Sequence, residues 1–561
     1  MFLHPPEELV GPTWSANLIP SFSDAQHLAA NGQSDAPRVP GFLTQARVAV
    51  ELRPDNPLAL ARLAQAAQAA GYTTDAVEYA RKAMDAGLDA SQPGAVHAAM
   101  TILAACGQAR DAAMLIDDPR ASRVPVAVRV RAAAAAGEFD AAQRLPGIEG
   151  SPDALQVITW IRTEQGDFRG AIAAGREAER GGAGGVTLYV NLAFAHAALG
   201  NHRKAVRLAR QARGLSPTDR RVAFRLVHYL KLAGKHDEAF VVLESLGDPE
   251  HPDIELALGL ARALSDDGSV SAAHSVLQRA RASREWAFAD DVQRAELTAN
   301  LALLRWMTRR ERADSSRREI IRALEASDYE SLGIAYLLMN VMRMPEHADE
   351  LARVIGRLES RHDEKDLLGL RTLLAILVRD AGAAVAYSRA WAQHDLFNPH
   401  AAAAATLLIG EVGGDFHEAG ELGLATCRRV PHDVMLLNNT ALVLAMDGRL
   451  ELAESLLARG RRQAGDTVYL SATQGLVDLL AGRTERGREG YGRALEMAED
   501  ADDEALCARV TLYAAFAEQA AGAESTVGDP ASLMESEAMK KWRDLPLFWI
   551  AWERLKREAA A

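Results

Sequence analysis

Four basic side chains, Arg221, Arg225, His228 and Lys231, stand four, three and three residues apart. On a helix they share one face. Such a face offers guanidinium forks to a carboxylate, the geometry of strong charge-assisted hydrogen bonds. Three asparagines make a second set: Asn191 in VNLAFA, Asn300 in the similar ANLALL, and Asn439. An asparagine amide can both donate to and accept from the backbone of an extended peptide. The same amide equally well contacts water or a neighbouring helix. Together these residues point to recognition of an acidic or extended peptide.

Motifs for covalent, metal or phosphate chemistry are missing. There is no HExxH, no P-loop, and no GxSxG or GxGxxG after a strand. The stretch GGAGGVT, Gly181 to Thr187, has neither a preceding strand nor a lysine. His196 and His228 read as packed or groove-lining residues rather than metal ligands. Cys106, Cys427 and Cys507 lie far apart with no CxxC, which suits a reducing compartment. No catalytic residue, metal or cofactor is expected, so the chain reads as a non-enzyme.

Charge narrows the partner. The 561 residues carry a net charge of −13, and a field of that sign repels nucleic acid and anionic membranes. Residues 203 to 235 run against it with ten bases and one acid, Asp219. The acidic run from Glu496 to Glu504 and the arginine-rich WMTRRERADSSRREIIR from Trp306 read as solvated surface. No long apolar stretch and no leader pattern occurs, so a soluble cytoplasmic protein is expected.

What positions these residues is a period. Gly166, Gly200, Gly234 and Gly268 are each 34 residues apart, and five residues beyond them sit Ala171, Ala205, Ala239 and Ala273. Eight residues before each glycine lies Ile158, Leu192, Leu226 or Leu260. The ruler works again at Gly414, Gly448 and Gly482, followed by Ala419, Ala453 and Gly487, the last unit being the weaker match. Upstream, Gly71 with Ala76 and Gly107 with Ala112 keep looser spacing. The physical reading is a helix, a left-handed glycine turn and a second helix in close approach, repeated so that each unit buries its stripe on the next.

The segment from Val186 then resembles the tetratricopeptide repeat, through Tyr189, Leu192, Ala193, Gly200, Ala205, Ala212 and Pro217. The likeness spans residues 57 to about 285 and 400 to about 500. It implies an all-α solenoid of helical hairpins wound as a right-handed superhelix, with first helices lining a concave groove. Asn191, Arg221 and Arg225 then occupy repeat positions that clamp carboxylates in this family, while Gln156 and Trp160 depart from the clamp pattern. Arg203, Arg207, Arg210 and Arg213 fall on a second helix and should face outward.

The expected layout is a proline-rich arm over 1–40, repeats over 41–285, degenerate helix pairs over 286–399, repeats over 400–525, and an aromatic cap over 526–561 carrying Trp542, Phe548, Trp549 and Trp552. The expected function is an interaction scaffold binding a protein or peptide, acidic or with a free C-terminal carboxylate, in its groove. The alternative is a regulatory or substrate-recruiting subunit whose catalytic chain is separate. An RNA-binding repeat is disfavoured by the charge and by the lack of groove aromatics in series.

Overall fold

The computed structural model describes residues 42–108, 110–111, 118–247, 253–266, 268–308, 312–542 and 545–560. The arm expected over 1–40, and Ala112, lie outside them. Every regular element among the described residues is a helix. These residues form two compact units, one running to Tyr229 and the other from Leu230 onward.

Helices follow one another in hairpins. In the first unit Pro152–Glu164 pairs with Phe168–Arg180, and Val186–Ala198 with His202–Leu215. In the second, Val434–Met446 pairs with Leu450–Ala464, and Val468–Leu480 with Thr484–Asp500. Several first helices start with the residues that favour a start: Pro57, Pro93, Pro152 and Pro399 open helices, and Asp433 accepts the Leu436 N–H at 2.7 Å.

The periodic glycines end those first helices. Gly200 has φ 75°, and its N–H donates to Ala197 while that of Asn201 donates to His196, both at 2.8 Å. This double bond is the closure that a left-handed residue gives a helix C-terminus. Gly137 and Gly522 take the same conformation, φ 81° and 63°, although the 34-residue ruler passes over both. Gly522 is displaced because Thr484–Asp500 and Glu504–Ala520 each run to 17 residues.

In the stretch expected to hold degenerate pairs, Asp291–Met307 pairs with Ala313–Ala326 and Leu368–Leu377 with Ala381–His394, while between them Leu332–Val341 is followed by Ala348–Leu358. Between Leu368–Leu377 and Ala381–His394 glycine is replaced by Arg379 at φ 62°, with the same bonds, Arg379 N–H to Ile376 and Asp380 N–H to Ala375. The 3-10 turn Pro345–His347 connects Leu332–Val341 to Ala348–Leu358.

Small residues let the two helices of a hairpin approach. Ala171, Ala205, Ala273, Ala419 and Ala453 are wholly buried. At Gly487, a Cβ would stand 2.9 Å from the Gly475 carbonyl oxygen and 2.6 Å from Leu479 Cγ. This unit, the weaker match by sequence, is therefore a tight hairpin whose glycine excludes alanine.

The terminal helix Pro546–Ala560 does two things. Phe548 and Ala551 cluster with Leu512, Phe516, Met534 and Met539, covering the last hairpin. Trp549 and Ile550 cluster instead with Ala375, Ile376, Leu407, Leu408 and Val412, far back in the chain. There the first helix Pro399–Leu407 widens into a π turn, Leu408–Val412. Arg557 Nη1 donates to the carbonyls of Gly410 and Glu411 at 3.0 and 3.1 Å, a cation placed where a helix end carries negative charge.

Candidate partner-binding site

In the first unit, Asn191 is fully buried on Val186–Ala198, and neither end of its amide makes a hydrogen bond. On Arg220–Leu232, Arg221 is exposed, His228 is half-buried, and Arg225 is only 2% exposed. Arg225, expected as an open cation, is therefore enclosed, and of the two arginines only Arg221 meets solvent. Val222, Ala223, Leu226 and Tyr229 are buried on the same helix, so little of it meets water. Of the set expected to face outward, Arg203, Arg207 and Arg210 are exposed and Arg213 is half-buried. Burial and the neighbouring charges of Lys204, Arg176 and Arg207 push the His196 imidazole down to about 4, so it stays neutral.

In the second unit Lys231 is half-buried, while Asn300 and Asn439 are buried. Both asparagines are engaged with their own chain: Asn300 Nδ2 donates to the Glu296 carbonyl at 2.8 Å, and Asn439 Nδ2 to the Ala403 carbonyl at 3.2 Å. Asn438 adds to this, accepting from Thr473 Oγ1 at 2.9 Å. In the arginine-rich stretch from Trp306, Arg312, Arg318 and Arg322 are exposed, while Arg317 is half-buried and pairs with Glu350 and with Asp314.

Asn439 also lines a cavity that is open to solvent and walled mainly by three consecutive first helices, Val434–Met446, Val468–Leu480 and Glu504–Ala520. Counted back from Gly448, Gly482 and Gly522, its walls come from the same places in each hairpin. Thirteen residues before the glycine stand Met435, Tyr469 and Arg509; nine before, Asn439, Thr473 and Tyr513; six before, Leu442, Leu476 and Phe516. Arg221, Arg225 and His228 hold these same three places before Gly234. In this helix–turn–helix period the hairpins resemble tetratricopeptide repeats. Each presents one stripe of its first helix, and three successive stripes make the wall.

Two arginines reach this cavity. Arg554, from the terminal helix, is neutralised: its Nη1 lies 3.2 and 3.3 Å from the Glu411 carboxylate oxygens and its Nε 2.7 Å from Glu558. Burial opposes its charge, but Glu411 and Glu558 outweigh that and hold its pKa above the ordinary value. Arg509 is different. It is 9% exposed, stacks 4.6 Å from the centre of the Tyr469 ring, and keeps a buried Nη2 with no hydrogen-bond partner. Sequence reasoning missed Arg509, Tyr469 and Tyr513. Allowing the ruler to stretch to Gly522 is the signal that finds them.

Among the described residues no cluster of three or more metal-ligating side chains occurs, and no helix is long and apolar enough to cross a membrane. No family model and no curated protein matches the sequence significantly. Among solved structures, the chain is similar to one in the APC/C hetero-tetramer Cut9-Hcn1, with 14% identity over 86% of this chain and 90% of that one, at a TM-score of 0.43. Yeast Tom70 gives 14% identity over 72% and 96%, at 0.29. A tetratricopeptide repeat protein from Parabacteroides merdae gives 16% over 46% and 98%, at 0.30.

Proposed function

We propose that this protein is a non-catalytic interaction scaffold or adaptor, holding an extended segment of a partner protein along the first helices of its hairpins. The observation that carries the reading is the cavity between Met435 and Ala517, built from equivalent positions of three successive repeats. An open, largely apolar recess with a few fixed polar groups is the usual form of a binding site. In the first unit the corresponding contact is Arg221, the exposed member of a set in which Asn191 and Arg225 are buried. The partner is acidic, because the cations at these positions favour it. The free thiols of Cys106, Cys427 and Cys507 fit a cytoplasmic setting.

Site-specific photo-crosslinking in the native host tests this. A benzoylphenylalanine at Tyr469, in the cavity wall, should give partner adducts. The same group at Leu452, exposed on a second helix, should give few. Equal adducts at both places, or none at Tyr469, would reject the reading.

A further inference from the structure

The cavity of the C-terminal hairpins has a chemistry of its own. Most of its polar groups are already committed: Asn439 donates to Ala403, Asn438 is held by Thr473 and Asn439, and Arg554 by Glu411 and Glu558. Of the two charged groups, Arg509 is left without a carboxylate, its Nη2 buried and its guanidinium over the Tyr469 ring. Around it the wall is apolar: Met435, Leu442, Leu476, Val510 and Phe516.

We infer that this cavity binds an extended peptide through one internal Asp or Glu side chain, seated on Arg509, and an adjacent large apolar side chain in the recess. The inference rests on the scaffold reading above and names its ligand. A guanidinium buried without an anion carries a desolvation cost that a carboxylate relieves. It is a planar fork with Tyr469 on one face, which leaves its edge for the carboxylate. A side-chain carboxylate fills the single fork and lets the peptide run on past it along the successive first helices that wall the cavity. The apolar wall beside it supplies the hydrophobic part of the recognition.

The experiment uses the full chain, immobilised, and a pool of amidated heptapeptides randomised at five central positions, with a second pool left as free acids. From the amidated pool, Asp or Glu should be enriched at least threefold within two residues of an enriched Leu, Phe, Tyr or Trp. Arg509→Gln should abolish the acidic enrichment and keep the apolar one. Ala472→Trp, which fills the recess without touching the charge, should abolish both. Circular dichroism melts of the two variants confirm that each is folded. If Arg509→Gln melts early, Arg509→Lys replaces it, with the acidic preference weakened rather than lost. Apolar enrichment without an acidic one overturns the inference and leaves the scaffold reading intact. So does an acidic preference unchanged in Arg509→Gln, or enrichment confined to the free-acid pool. Retention of no peptide by the full chain overturns both.

Discussion

Gly475 and Gly490 face each other across a hairpin so closely that a Cβ on Gly490 would stand 2.9 Å from the Gly475 Cα and 3.1 Å from its nitrogen. The obstruction is backbone, which cannot swing aside. Gly490→Ala should therefore destabilise the C-terminal hairpins by roughly 2–3 kcal/mol. Two residues on, Gly492 lies in the same helix with nothing within 4 Å of its missing Cβ. Gly492→Ala should stabilise by about 0.5–1 kcal/mol, through helix propensity alone. Urea unfolding of the two variants side by side checks the opposite signs.

The pair Glu411–Arg554 is 0% and 5% exposed at its side chains. Removing one partner leaves a buried charge, so Arg554→Met should cost about 3–5 kcal/mol. The double variant with Glu411→Gln should recover much of that loss. Tryptophan fluorescence of Trp549 and Trp552 during denaturation reads out the terminal helix. A double variant as unstable as the single one would show that the helix packs through its charges rather than its apolar face.

Asp395 supplies a pH signature. Burial pushes its carboxyl up to about 6, against the opposing hydrogen bond from Asn398 and the charges of His394 and Arg262. Between about pH 4 and 6 the folded chain then holds a proton that the unfolded chain has released. This group's contribution therefore falls as pH rises through that window and levels off above it. Asp395→Asn should be more stable than the parent by about 1–3 kcal/mol at pH 8, with the difference closing near pH 4. A difference independent of pH, measured by thermal melts in parallel buffers, would assign the charge elsewhere.

Asn191 is expected to trade stability for function. An amide buried with no hydrogen bond costs about 1–3 kcal/mol, so Asn191→Leu should raise the melting temperature. If Asn191 is a contact to the partner's backbone, the same substitution lowers affinity for it. Calorimetric melting and binding to the crosslinked partner, done on one preparation, separate the two effects.

The hairpins were legible in the sequence because a left-handed turn restricts the residue that makes it, and glycine recurs there at fixed distance. The reading failed where the chemistry has substitutes. Arg379 adopts the same conformation without being glycine, and long helices carry Gly522 out of register. The candidate site was legible as a stripe: Arg221, Arg225 and His228 lie at the places that Tyr469, Thr473 and Phe516 hold or repeat in the cavity. Burial along that stripe was not. Whether a cation at such a place is open, as Arg221 is, or enclosed, as Arg225 is, depends on neighbours that no local pattern names. Likewise, nothing local in the chain near Glu411 announces a partner 143 residues away.

That last contact changes how the C-terminal part of the molecule can fold. In a row of repeats each unit couples only to its neighbours, so order can spread from any point and fray from either end. The terminal helix, seated on Leu408–Val412, closes the intervening hairpins into a ring. Closure of a long loop costs entropy before any contact rewards it, and contacts of high sequence separation slow folding. The hairpins between should therefore zip quickly, with docking of the last helix as the late step. Once that step is made, the final repeat is no longer a loose end from which unravelling can begin.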